Sequence, residues 1–118
     1  MIDKTFATHF VNDWIDSWNS HDLDRILSHY ADDFEMSSPI IIEMADEPSG
    51  TLKGKASVGA YWAKALAAFP DLHFTHVATF VGVNSITLNF AWGGGVAMEV
   101  FLFGPDQKVI RAYAHHAT

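Results

Sequence analysis

One glutamate stands in an otherwise apolar segment, Val96 to Phe103, and is the side chain best placed to move a proton. Alternate residues of a strand share a face, so Glu99 groups with Ala97, Phe101 and Phe103. A carboxylate on an apolar wall loses hydration when charged, which predicts a raised pKa and a role as proton donor or acceptor. The alternative is a Glu99 that is exposed to water or paired with a neighbouring side chain.

Histidines are the second group with chemistry near neutral pH, and His115 and His116 end the last strand-like segment. Imidazole is a common general acid or base, so His116 is a candidate partner for Glu99 in proton transfer. Fraying near the C-terminus is the alternative. Adjacent strand residues point to opposite faces, so this histidine pair cannot readily share a metal ion, and His73 and His76 also differ in parity. We predict no metal site, and no cofactor is implied.

The segment at residues 85–92 supplies a second apolar wall. Ile86, Leu88, Phe90 and Trp92 alternate with more polar residues and therefore share one face of a strand. Such a wall favours an apolar ligand. The alternative, strongest for Ile86 and Leu88, is that these side chains only pack in the core.

Three helices are predicted to support these walls. Apolar residues recur every three or four positions from Asp3 to Trp18, again from Leu23 to Tyr30, and again from Ala56 to Phe69. Pro70 ends the third helix, since proline cannot continue the hydrogen-bond ladder.

Strand patterns occupy most of the remaining sequence. Residues 34–40 alternate with period two, and Pro39 within them indicates an edge strand. Turn formers and charges at residues 43–54 predict a mobile surface loop between two short strands. Four further strands, with glycine-containing turns joining the last of them, are predicted as a meander at residues 72–81, 85–92, 96–103 and 108–116.

This order of elements predicts an α+β fold in a single domain, residues 1–118. We expect a strongly curved antiparallel sheet with about three helices on its concave side. The result would be a cone-shaped half-barrel around one small apolar pocket, the kind of concavity in which small ligands bind.

Composition narrows the partners and the location. Fourteen acidic against seven basic residues give a net charge of −7, and Arg25 and Arg111 are the only arginines. No basic face is available to bind phosphates, so neither nucleic acid nor an anionic membrane is expected as a partner. With no cysteine, no signal-like N-terminus and no stretch of about 20 apolar residues, a cytoplasmic location is the default expectation.

Several motifs resemble one family. The runs Trp18 to Asp24 and Tyr30 to Phe34 resemble the N-terminal signature of the SnoaL-like polyketide cyclases and ketosteroid isomerases, within the nuclear transport factor 2-like superfamily. The rest of the pattern is similar at residues 54–56, 69–74, 100–103 and 106–110. The resemblance spans nearly the whole chain and implies a cystatin-like fold. Because the superfamily includes several enzyme classes and non-catalytic proteins, it does not by itself define a reaction.

Matching to the isomerases assigns positions to three residues. Those enzymes combine a carboxylate base with an oxyanion hole made of a tyrosine and a protonated acid. The match puts Trp14 at the tyrosine, Ser38 at the base and Glu99 at the protonated acid. An indole N–H donates but is not an acid of pKa near 10, and an unassisted serine cannot take a proton from carbon. Steroid isomerisation by the usual mechanism is therefore not expected.

The same comparison implies a set of pocket residues. Tyr30, Tyr61 and Trp62 match lining positions of the family, and Trp18 lies one helical turn beyond Trp14. Strand alternation turns the strand aromatics Phe90, Trp92 and Phe101 inward, and the two inward alanines leave room for a ligand. Aromatic stripes at helical spacing also occur in plain cores, which is the alternative. The predicted ligand-binding residues are Trp14, Trp18, Tyr30, Tyr61, Trp62, Phe90, Trp92, Phe101, Ala112 and Ala114.

Three functions remain open at this point. The leading hypothesis is general acid/base chemistry on a small carbonyl compound, with Glu99 central and His116, Tyr30 or Ser38 assisting. The rival is a non-catalytic binding or accessory protein of the same fold. A third reading, hydrolysis or dehydration by activated water, requires a second carboxylate, for which Glu43 and Asp71 are the candidates.

The outer face of the strand that carries Glu99 is apolar as well. Met98, Val100 and Leu102 occupy it, with Tyr113 of the last strand beside them. Apolar residues on both faces of a strand predict that one face lines the pocket and the other forms a homodimer through the sheet.

Overall fold

The computed structural model describes residues 1–118 and confirms the α+β class. It has four helices: α1 (Lys4–Asn19), α2 (Leu23–Leu27), α3 (Pro39–Met44) and α4 (Lys55–Ala68). Its strands are β1 (Tyr30–Ser37), β2 (Thr51–Lys53), β3 (Thr75–Val81), β4 (Ser85–Trp92), β5 (Gly95–Phe103) and β6 (Val109–His116). None of the helices combines the length and the apolar character that crossing a membrane requires.

Helix α1 begins at a polar cap and packs one face on the sheet. The Asp3 carboxylate accepts hydrogen bonds from the backbone N–H groups of Thr5 and Phe6, which otherwise lack partners in the first turn. Its buried apolar residues follow the predicted helical spacing: Ala7, Phe10, Val11, Trp14 and Trp18. The helix thereby carries Trp14 and Trp18 over the middle of the sheet.

The six strands form one curved sheet that does not close, in the order β2-β1-β6-β5-β4-β3. The predicted four-strand antiparallel meander is confirmed from β3 to β6. The sheet is not antiparallel throughout, however, because β1 pairs with β6 in parallel. Most of the chain separates these two strands, so no tight hairpin forces them into opposite directions.

The prediction of a strand over residues 34–40 is wrong at its C-terminal end. β1 stops at Ser37, and Pro39 begins α3 instead of continuing the edge of the sheet. Ser38 Oγ accepts the backbone N–H of Ile40 at 3.2 Å and so caps the helix. Proline suits the first turn because its fixed φ is helical and its missing N–H would be unpaired there. The structure therefore has four helices rather than three, and α3 occupies the start of the predicted 43–54 loop.

Side-chain alternation along β5 is confirmed. The residues at 97, 99, 101 and 103 are buried, whereas Met98 is exposed and the residues at 100 and 102 are half-buried. Gly93 and Gly94, with φ of 57° and 84°, form the predicted turn between β4 and β5. Most other residues are strained at positive φ, so glycine suits this turn. Trp92, the last residue of β4 before this turn, lines a cavity.

Candidate functional site

A cavity of about 90 Å³ lies between α1, α3, α4 and the buried face of the sheet. Fourteen of the 17 residues that line it are hydrophobic. Typical pockets for drug-sized ligands start at roughly 300 Å³, so this cavity is smaller than a pocket of that kind.

Glu99 provides the only carboxyl group in the cavity wall. The residue lies in the middle of β5, between Leu88 of β4 and Ala114 of β6, and is only 5% exposed. Burial alone raises the pKa of its carboxyl group to about 8, and no hydrogen bond from the protein opposes that effect. At pH 7 the carboxyl group is therefore mostly protonated, a neutral hydrogen-bond donor.

Two hydroxyl groups lie beside this carboxyl group. Tyr61, from α4, lines the cavity close to Glu99 and Ser38. Burial raises the pKa of Tyr61 to about 12, the charge of Glu99 adds to the increase, and the Ser38 hydroxyl acts in the opposite direction. Both hydroxyls are therefore neutral at pH 7, and the accepting lone pair that caps α3 does not prevent Ser38 from donating.

Trp14 lines the cavity but does not offer its indole N–H to a ligand. Its Nε1 donates to the Tyr30 hydroxyl oxygen at 2.9 Å, and both side chains are buried. Burial raises the pKa of Tyr30 well above its ordinary value, so the hydroxyl stays protonated. The pair joins α1 to β1 and leaves Trp14 as an apolar wall.

Replacing Tyr30 with phenylalanine is expected to destabilise the protein by about 1–3 kcal/mol, because the Trp14 N–H then stays buried without a partner. Urea unfolding measures the change. The double variant Trp14→Phe/Tyr30→Phe provides the control, since it removes both polar partners together. Additive effects of the two substitutions would contradict a stabilising hydrogen bond between the two side chains.

His116 lies diagonally across the ladder from Glu99, because its direct partner on β5 is Ala97. Diagonal neighbours in a sheet are about 7–8 Å apart, and both residues line the cavity. Burial, and then the charge of His115, lowers the pKa of His116, so the imidazole is neutral at pH 7. Its Nε2 is buried and has no hydrogen-bond partner in the protein.

Most of the predicted site residues line this one cavity. The three residues proposed for catalysis, Glu99, His116 and Ser38, all do so. So do seven of the ten predicted ligand-binding residues, which are Trp14, Trp18, Tyr61, Trp62, Phe90, Trp92 and Ala114. Whether they bind a ligand is taken up below.

Tyr30, Phe101 and Ala112 do not line the cavity, in contrast to the prediction. Their side chains point inward as expected but are at most 1% exposed, in the core behind the wall. Phe10 of α1 packs edge-on against Phe101 at 4.9 Å and covers that end of the strand. Ala112 lies between Phe101 of β5 and Met36 of β1 in the sheet and is fully buried.

Seven lining residues were missed. Ala65 and Phe69 follow Trp62 by three and seven positions, a helical spacing that could have revealed them. The other five are Met36, Ile40, Met44, Leu72 and Phe74. Of these, Met36 shares the alternation of Ser38, but the rest lie in α3, which was not predicted, or in the irregular segment before β3.

The remaining candidates lie away from the cavity. His115 is exposed on the opposite face of β6 from His116, as strand parity requires. Glu43 and Asp71 are exposed and do not line the cavity, so neither is a second carboxylate for an activated water. Apart from the indole N–H groups of its tryptophans, the polar side chains of the cavity wall are thus one acid, two hydroxyls and one imidazole.

Comparison with known proteins identifies the family. The model of the SnoaL-like domain matches residues 11–117. A SnoaL-like protein of unknown function from Burkholderia thailandensis is 56% identical, with 99% of this chain and 98% of that chain covered and a TM-score of 0.96. None of the curated proteins matches the sequence.

Two solved structures of low identity share the fold. A protein of unknown function with a cystatin-like fold, from Methylobium petroleophilum, is 13% identical over 99% of this chain and 79% of its own, with a TM-score of 0.78. The epoxide hydrolase/cyclase-like enzyme SalBIII, of pyran ring formation in the polyether salinomycin, is 15% identical over 100% and 95%, also at 0.78. The family match and the 56% identical relative establish that this chain belongs to the SnoaL-like family.

Proposed function

We propose that the cavity binds a small, mostly apolar carbonyl compound and that Glu99 acts on it as a general acid, in a reaction of isomerase, cyclase or lyase type. The observation that carries the proposal is a buried carboxyl group that lines an apolar cavity and has no hydrogen-bond partner in the protein. Burying an unpaired carboxyl group destabilises a fold, so its position favours a ligand as the missing partner.

The reaction needs only proton transfers. The Glu99 carboxyl donates its proton to the carbonyl oxygen, while the neutral His116 imidazole removes a proton from the carbon beside the carbonyl. The C–H bond breaks, a C=C bond forms, and the product is the neutral enol. Return of the proton from His116 to a conjugated carbon gives isomerisation. Exchange results when the imidazolium first exchanges this proton with a deuteron of the solvent and then delivers the deuteron to the same carbon. Glu99 recovers its proton from the enol, so both residues end as they began.

The hydroxyls of Tyr61 and Ser38 support this arrangement. Both are neutral donors beside Glu99, so they can add a hydrogen bond to an oxygen that gains negative charge. The fold likeness to an epoxide hydrolase/cyclase-like enzyme is consistent with acid/base chemistry in such a cavity. A ring closure would use the same proton donor, with an oxygen or carbon of the ligand as the attacking group.

Deuterium exchange tests the proposal without knowledge of the natural substrate. Cyclohexanone, a small neutral ketone, is incubated with the protein in D₂O, and proton NMR follows loss of the signals beside the carbonyl. Exchange faster than with heat-unfolded protein is expected. An exchange rate equal to that of the buffer would contradict general acid/base catalysis on simple ketones.

A non-catalytic binding function is the second candidate, and two contacts favour it. The Trp14 N–H is bonded to Tyr30, and Ser38 caps α3, so the family positions of the phenol and the base serve the fold. A protein of this kind would hold an apolar molecule without changing it. Binding of cyclohexanone without exchange would support this second candidate.

We also propose a homodimer through the outer face of the sheet. Met98 and Tyr113 are 39% and 37% exposed there. Half-buried Val100 pairs with Tyr113, and half-buried Leu102 follows further along β5. An apolar face that repeats on each copy suits an isologous, twofold interface. We expect a dimer by sedimentation at micromolar concentration, and Met98→Asp should give monomers. Val83→Asp, a change at an exposed turn, is the control, and a monomeric wild type would contradict the interface.

A further inference from the structure

Aromatic rings enclose the cavity on several sides. Trp18 of α1 lies 5.3 Å from Trp62 of α4 and 5.5 Å from Phe74, measured between ring centroids. Trp92 closes the far side, 6.1 Å from Phe74. The faces of aromatic rings carry negative electrostatic potential and attract cations, quaternary ammonium groups above all.

The cavity wall contains an acid but no permanently cationic side chain. Glu99 is its only acidic side chain, no lysine or arginine lines it, and the whole chain carries a net charge of −7. When Glu99 loses its proton, the carboxylate therefore has no counter-ion within the protein. A buried charge of this kind is stable only when something pairs with it.

No other group that faces Glu99 supplies that positive charge. Tyr30 of β1 and Tyr61 of α4 have raised pKa values and stay neutral. The pKa of His116 on β6 is lowered, so above pH 7 the imidazole is neutral as well. Ser38, before α3, carries no charge. The counter-ion must therefore come from the ligand.

We infer that the cavity also binds a small organic ammonium ion, with ionised Glu99 as the counter-ion and the aromatic rings around its alkyl groups. This inference rests on the same carboxyl group as the proposed function but uses its other protonation state. A carbonyl ligand needs the proton on Glu99, whereas a cation displaces it. One proton leaves to solvent as one cation enters, so the charge of the cavity is unchanged.

A pair of probes of equal shape tests this inference. Choline and 3,3-dimethyl-1-butanol differ only in the central atom of the head group, a positively charged nitrogen or a neutral carbon. Each is titrated into the protein from pH 6 to pH 9, with tryptophan fluorescence as the readout. Choline affinity should rise about tenfold per pH unit below the Glu99 pKa of about 8 and level off above it. The affinity for the alcohol should not rise with pH.

Two variants assign the effect to Glu99. Glu99→Gln should abolish both the preference for choline and its pH dependence, whereas Glu43→Gln, which removes an exposed charge on α3, should change neither. Choline binding no tighter than the alcohol at pH 9, a preference that survives Glu99→Gln, or binding of neither probe would each overturn the inference. Cyclohexanone, titrated in parallel, distinguishes the failure of this inference from the failure of the proposed function. If cyclohexanone binds and choline does not, the ammonium inference is wrong and the proposed carbonyl ligand is unaffected.

Discussion

Replacing Glu99 with glutamine is expected to slow the exchange of cyclohexanone protons by about 10²- to 10⁴-fold, the usual contribution of a general acid or base. Glutamine keeps the size of the side chain and still offers N–H groups to a carbonyl oxygen, but it has no proton to transfer. The substitution therefore removes the proton transfer and preserves the shape and hydrogen bonding of the cavity wall. Proton NMR in D₂O at pH 7 measures both rates.

Binding measured on the same variants separates an enzyme from a binding protein. Affinity for cyclohexanone should change little in Glu99→Gln, since most of the cavity wall is apolar. Glu43→Gln, an exposed position, is the matched control and should leave both the rate and the affinity unchanged. An exchange rate in Glu99→Gln equal to that of the wild type would refute the role of Glu99 as the general acid. His116 would then be the next residue to test.

The same substitution is expected to stabilise the protein at pH 8, by on the order of 4 kcal/mol. The folded-state pKa of Glu99 is about 8, above the ordinary 4.5, so between these values the folded protein keeps a proton that the unfolded chain has lost. The free energy of unfolding then falls by about 1.4 kcal/mol for each pH unit from 4.5 to 8. Glutamine does not titrate, so the variant lacks this loss.

Urea unfolding at pH 5 and pH 8 tests this expectation. The wild type and Glu99→Gln should have similar stability at pH 5 and should diverge as the pH rises, because only the wild type must bury a charge or hold a proton. Glu43→Gln should follow the wild type at both pH values. A difference between wild type and Glu99→Gln that is equal at both pH values would mean that the Glu99 carboxyl group is hydrated or paired.

The two predictions for Glu99, on exchange rate and on stability, have the same physical cause, the burial of its carboxyl group. A carboxyl group in an apolar wall costs stability at neutral pH, and the same burial makes it a proton donor there. A variant that gains stability and loses exchange would link both effects to the same residue. If Glu99→Gln is more stable but exchanges cyclohexanone protons as fast as the wild type, Glu99 destabilises the fold and has no catalytic role.

Local patterns in the sequence were sufficient for most of the elements, though not for α3, and for the faces they present. Strand periodicity put Glu99 on the buried side of β5, and helical periodicity put Trp14 and Trp18 on the buried side of α1, as the structure confirms. These patterns succeed because each depends on the geometry of one segment, period two for a strand and 3.6 for a helix. The order of the elements then predicted the α+β class, and the family motifs added the cystatin-like fold.

Tertiary structure decided which of these buried side chains meet. Phe101 and Glu99 share a face of β5, yet Phe10 of α1 covers the first while the second opens on the cavity. Trp14 matches the position of a family phenol, but its N–H is bonded to Tyr30, 16 residues away. Periodicity within one segment contains no information about such contacts, since they depend on how separate elements pack.

The β1–α3 junction shows the same limit on a smaller scale. Pro39 is compatible with an edge strand and with the first turn of a helix, and the sequence by itself determined only that the chain could not continue as an inner strand. In the structure the chain forms a helix here. Ser38 caps this helix, and its residues Ile40 and Met44 pack around the cavity. The sequence thus determined most of the elements, though not α3, and their inward faces, because these follow from local geometry. Only the tertiary structure decided that Glu99, His116, Tyr61 and Ser38 share one cavity, because that depends on packing between distant elements.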